Sequence, residues 1–233
     1  MRGTNDTVNN LYNVYSRSRE TEGQRELMEN RQSSRRSYDH LEKALSGILG
    51  ADKSTSKLSQ VLAYASVNIT VSCQEIREII KDDPEDVLLL ADKWRLLLPV
   101  RTAKSAGWED RVLVLEDGEI YEIPNLIRYL VKNALDTGKW DPEKSIIELF
   151  KKFREPEWEK ITGLVRSIVE KAIDYKITGN QIKETCLQFG LNNKADGLIA
   201  ELKAAGIISP KLGSIPDVVN ARSPTYELNP SIM

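Results

Sequence analysis

The sequence predicts a mainly α fold with small β-hairpins, of the α+β class, and three observations carry that reading. Apolar residues recur at helical spacing in several separate stretches between Leu41 and Ala205. Short runs with strand-like alternation, 119–123 and 225–228, follow turn-forming residues such as Asp117-Gly118 and Ser223-Pro224. The composition, 40% hydrophobic and 29% charged over 233 residues, is that of an ordinary globular chain long enough for two cores.

Residues 1–38 read as a polar, Arg/Ser-rich tail, disordered or helical. Arg17, Arg19, Arg25, Arg31, Arg35 and Arg36 alternate with Glu20, Glu22, Glu26 and Glu29, and too little apolar surface is present to offset chain entropy. The absence of lysine suits an arginine arm laid along phosphates or an acidic partner. Leu11, Tyr12, Val14 and Tyr15 form a small apolar cluster that could dock locally.

Residues 39–138 read as an α+β domain. Leu41, Leu45, Ile48 and Leu49, then Leu58, Val61, Leu62 and Ala65, keep helical spacing ahead of a β-prone run at 67–71. Ser72 and Glu75 have the spacing of a capping box for a helix through Ile76, Ile79 and Ile80. Pro84 opens the next helix, whose apolar residues are Val87, Leu88, Ala91 and Leu96 to Leu98. Two β-like runs, 100–103 and 111–115, come next, then the Asp117-Gly118 hairpin signal, a strand at 119–123 and a helix from Pro124-Asn125 to about Gly138.

Residues 139–156 form a helical connector that starts at Asp141-Pro142 and breaks near Pro156. The domain 157–233 opens with a helix whose broad apolar face holds Trp158, Ile161, Leu164, Val165, Ile168, Val169, Ala172 and Ile173. That face serves as core, and is wide enough to extend into a homodimer seam along 157–174. Thr178 or Asn180 caps a helix through Ile182, Thr185, Cys186 and Phe189, and Gly190 stops it. Asn192 or Asn193 caps a second helix with Ala195, Leu198, Ile199, Leu202 and Ala205 turned inward, ending at Gly206. The strand 207–209, a turn-rich stretch and the strand 225–228 complete the series.

Helix, turn, second helix, then Leu202-Lys203-Ala204-Ala205-Gly206-Ile207-Ile208-Ser209 and Ser223-Pro224-Thr225-Tyr226-Glu227-Leu228-Asn229-Pro230, in that order, resemble a winged helix-turn-helix domain. The middle segment resembles a second, divergent copy, so that the whole reads as tandem winged-helix-like domains. The resemblance implies that the second helix of the motif enters a major groove and that the hairpin wing meets the backbone. Carried over by position, Asn192, Asn193, Lys194 and Gly197 begin that helix, and Lys211 and Arg222 flank the wing. Amides suit adenine edges and ammonium groups suit phosphate. A second basic wing would hold Arg101, Lys104 and Arg111 around Trp108. Against these stand Asp196, Glu201 and Glu227 in the last domain, and Asp83, Glu85 and Asp86 at the equivalent helix start of the middle one, where carboxylates repel phosphate.

The function classes narrow accordingly. The net charge of −2 confines any nucleic-acid contact to a local patch. The single histidine, His40, and two distant cysteines, Cys73 and Cys186, leave no metal-spaced cluster or Ser-His or Cys-His pair, and no Gly-rich phosphate loop is present. The chain is therefore expected to be non-enzymatic, with no catalytic residue, metal or cofactor. It has no signal-peptide pattern or membrane-length apolar run, so a cytoplasmic location without membrane contact is expected. The first expectation is a DNA-binding transcriptional regulator or chromosome-associated protein acting on double-stranded DNA. The alternative is a protein–protein interaction adaptor on winged-helix domains.

Overall fold

The computed structural model describes residues 36–102, 107–211 and 223–233. The tail assigned to 1–38 therefore lies outside the described residues, apart from its last three. A helix, α1, runs through 36–49, and α2 (Lys53–Asn68) follows with Asp52 as its N-cap, accepting from the Thr55 amide. Next come β1 (Thr70–Ser72), α3 (Cys73–Ile79), α4 (Pro84–Lys93), β2 (Leu98–Pro99) and β3 (Ile120–Glu122). Two connecting helices, α5 (Asn125–Thr137) and α6 (Pro142–Lys152), lead to α7 (Trp158–Lys171), β4 (Lys176–Thr178), α8 (Gly179–Gln188), α9 (Ala195–Ala205), β5 (Ile208–Pro210) and β6 (Thr225–Leu228). The molecule is thus mainly helical with two small antiparallel sheets, as the sequence predicts, and no helix among the described residues is long and apolar enough to cross a membrane.

The second unit repeats the element order of the first. Both run helix, strand, helix, helix, strand, strand, and both sheets place the last strand in the middle: β1-β3-β2 and β4-β6-β5. In the first, Tyr121 pairs with Val71 on one side and Pro99 on the other; in the second, Tyr226 pairs with Ile177 and Pro210. Each first strand runs into a capping box, Ser72 with Glu75 and Thr178 with Gln181, which fixes where α3 and α8 begin. The third helix of each unit, α4 and α9, is closed by a left-handed residue, Arg95 (φ 52°) and Gly206 (φ 77°), and the amide that follows donates back into the last turn, Leu96 to Ala91 O and Ile207 to Leu202 O.

Several local readings differ from the structure. The β-like run at 111–115 belongs to no helix or sheet, because side chains such as Thr102 and Tyr121 take its carbonyls in place of a neighbouring strand. Leu96 to Leu98 lie beyond α4 because Arg95 closes the helix; the strand there is Leu98–Pro99, and residues 100–102 of the strand predicted at 100–103 form a bend and turn instead. The β-prone run at 67–71 is divided: α2 continues to Asn68, Ile69 turns left-handed (φ 72°), and only then does β1 start. Neither Asn192 nor Asn193 caps α9. They sit in a 3-10 turn, Asn192–Lys194, that leads into the helix with no side-chain cap.

A single apolar core runs through both units, from Leu41 and Leu62 through Tyr121, Leu130 and Phe150 to Leu164, Leu202 and Leu228. Polar groups stitch the seam as well. The Trp108 amide donates to Ser209 Oγ at 2.9 Å, and Arg95 meets Glu227 at 3.5 Å. The buried Asn229 amide donates to Arg95 O and Gly206 O, and Trp140 Nε1 donates to Ser231 O at 2.8 Å. Gly206 approaches Pro124 so closely that a Cβ would stand 2.6 Å from its side chain, so both backbone angle and space demand glycine here. The apolar residues of α7 are consumed in this core: Ile161, Leu164, Val165 and Ile168 are buried, and Trp158, Val169 and Ala172 pack against them.

Candidate macromolecule-binding face

Helix α9 buries Ala195, Leu198, Ile199, Leu202 and Ala205, so its outer face is set by what remains. Asn192, Asn193, Lys194, Asp196, Gly197, Ala200, Lys203 and Ala204 are exposed along it. This is the face on which the sequence places base and phosphate contacts. Its cations are largely occupied. Lys194 Nζ lies 2.9 Å from both Glu155 and Glu157, residues of the turn between α6 and α7. The Glu155 carboxylate, followed by that of Glu157, holds the Lys194 ammonium above the ordinary lysine value. Glu157 is pulled below its ordinary value by Lys160 and then Lys194. Nearby, burial pushes the Glu201 carboxyl up, with Glu155 adding to the effect. On α8, Lys183 pairs with Asp196 at 2.9 Å, so the first turn of α9 carries no uncompensated positive charge from these residues. Asn192 donates to Asn193 Oδ1, a contact that two exposed amides can exchange for another partner. Lys203 is the cation of this face without an ion pair among the described residues.

The residues that the resemblance assigns to wings repeat the pattern. Lys211 faces Glu109 at 3.4 Å, across the seam between the units. Arg222 and Lys104 lie outside the described residues. Arg101 donates to Gly118 O in the Asp117-Gly118 turn. Arg111 pairs with Glu122 and is mostly buried. Trp108, at 5% exposure, belongs to the seam rather than to a surface. The predicted site residues therefore do not converge: Lys194 and Arg111 stand in separate clusters, each closed by its own carboxylates. At the equivalent helix start in the first unit, Asp83, Glu85 and Asp86 surround the N-terminus of α4, with Lys57 on Asp83 and Arg77 on Glu85.

Sequence reasoning missed Glu155, Glu157, Glu109 and Glu122, the residues that decide the electrostatics. The acidic pair flanking Pro156, directly before α7, was the available signal. No group of three or more His, Cys, Asp or Glu side chains among the described residues is arranged to hold a metal ion.

A protein-family model matches residues 40–233. The chain belongs to that family. Its span runs from within α1 to residue 233 and so includes both units. The match assigns no activity to the chain. No curated protein and no solved structure matches.

Proposed function

We propose that the chain is a non-enzymatic adaptor, in which two winged-helix units fused into one body bind protein rather than duplex DNA. The winged-helix reading is supported by the order helix, strand, helix, helix, strand, loop, strand in both units, with the last strand central in each sheet. The observation that carries the functional reading is Lys194 between Glu155 and Glu157. A phosphate at the start of α9 would have to displace two carboxylates, one of them only 14% exposed, and would then face both of them unpaired. What this face offers instead is small and amide side chains, Asn193 in the turn before α9 and Gly197, Ala200 and Ala204 on the helix. Small residues let another backbone approach closely, and amides exchange hydrogen bonds without a desolvated charge.

A second reading, duplex-DNA binding through Asn192, Asn193 and the wing, is favoured by one observation: Lys203 is exposed on the same face without an ion pair among the described residues.

Paired affinity capture from a cell extract separates the two. Full-length protein and its Ala200→Glu, Lys203→Glu variant are compared after nuclease treatment. The adaptor reading predicts a protein held by the wild type and lost by the variant, unaffected by nuclease. Capture that vanishes with nuclease, or is the same for both proteins, contradicts it.

A further inference from the structure

Between the two units lies a recess of about 360 Å³. Leu98, Trp108, Ile123, Pro124 and Ile208, all buried, give it an apolar floor. Contacts of the seam fix its shape: Gly206 lies against Pro124, and Asn125 Nδ2 donates to Ala204 O at 3.0 Å, which clamps the end of α9 to the start of α5. Ile69 also lines the recess, 51% exposed and held at φ 72°, an angle unfavourable for a β-branched residue. Strain of this kind collects at ligand sites, and an apolar side chain left open beside an apolar floor is surface that a ligand would cover.

The charges of the lining do not balance. Lys203 has no ion pair among the described residues. Arg111 is mostly buried, and only its Nη1 is engaged, by Pro99 O and Glu122. Its Nε is buried without an acceptor, and its Nη2 has none among the described residues. Two cations and one carboxylate, Glu122, therefore line the recess, an excess of one positive charge. The start of α5 and the last turn of α9 both border it, so the opposite partial charges of the two helix ends offset each other and the side chains set the sign. An unpaired ammonium and a half-satisfied guanidinium beside apolar surface suit one carboxylate carried on an apolar body. A phosphate monoester carries nearly two charges, overshoots that excess and brings no apolar surface for the floor.

We propose that this recess binds an apolar monocarboxylate, with the hydrocarbon part on the floor around Trp108 and the carboxylate met by Lys203 and Arg111. The site goes beyond the adaptor reading and does not depend on it. A free organic acid and the C-terminus of a peptide ending in an apolar residue share this chemistry.

Titration of full-length protein with 2-naphthoate, followed by amide NMR shifts, tests this. Naphthoate should move the amides of Ile69, Trp108 and Ala204 together, with a Kd of about 1 mM for a ligand of this size. Its neutral carboxamide should bind about tenfold more weakly. Lys203→Gln changes an exposed side chain and should weaken naphthoate about fivefold, while Lys203→Arg keeps the charge and should keep the affinity. A peptide ending in phenylalanine, with its C-terminus free or amidated, forms a second arm. Tighter binding of the free peptide than of naphthoate assigns the carboxylate to a partner's C-terminus, and the reverse assigns it to a free acid. No shift at these three amides, equal binding of acid and carboxamide, or an affinity untouched by Lys203→Gln would overturn the proposal.

Discussion

Glu75 closes the capping box of α3 and also accepts the Tyr64 hydroxyl at 2.6 Å. The Ser72 backbone amide, then Tyr64 and the Ser72 hydroxyl, hold its carboxyl below the ordinary 4.5. A carboxylate depressed by folding stabilises the native state above its unfolded value, and that contribution disappears as pH falls through the folded one. Glu75→Gln should therefore flatten the fall of the melting temperature on acidification below about pH 4.5, relative to wild type. Tyr64→Phe should move the Glu75 titration, followed by carboxylate NMR, up towards the ordinary value. The two cysteines make a separate expectation at this scale. Burial pushes both the Cys73 and Cys186 thiols up. Neither should react with a thiol-specific disulfide reagent at pH 8 in the native state, and both should react in denaturant. A native thiol that reacts at the rate of a free one would place it at the surface.

At the scale of elements, Leu202 is fully buried in α9 against the strand that follows. Leu202→Ala should destabilise by about 2–5 kcal/mol in a denaturant titration, as truncation of a core leucine does. An unchanged midpoint would mean that α9 is not docked through this face. Most such elements are legible in the sequence because their signals are local. Ser72 and Glu75, Thr178 and Gln181, and Asp141 ahead of Pro142 start helices with residues no more than three apart. What sequence does not show is contact at a distance. Lys194 reads as a phosphate ligand until the fold brings Glu155, thirty-nine positions away, within 2.9 Å. Leu96 to Leu98 read as helix because they are apolar, and only the left-handed Arg95, held by Asp92 and Glu227, ends the helix before them. Residues 111–115 read as a strand by composition, but a strand needs a neighbour, and side chains took its carbonyls instead.

For the whole molecule, the shared core and the polar seam tie the two units together. The Trp108 amide is buried, and Ser209 Oγ is its acceptor. Ser209→Ala leaves that donor without a partner and should cost about 1–3 kcal/mol. Because the seam belongs to both units, calorimetry should give one transition in wild type and in this variant, shifted but not split. Two resolved transitions would show that the units unfold independently. The functional account rests on the same connectivity, since the turn that supplies Glu155 and Glu157 is fixed by the packing of α6 against α7. Binding of random duplex DNA by full-length protein across a salt series tests it most directly, with Lys194→Gln, Lys211→Gln as the comparison. The account predicts at most the weak affinity of non-specific contact, about 10⁻⁴–10⁻⁶ M, with the same salt slope in both proteins. Tight binding whose logarithmic salt slope falls by roughly 2 in the variant would contradict it, because two lysines would then be neutralising phosphates rather than carboxylates.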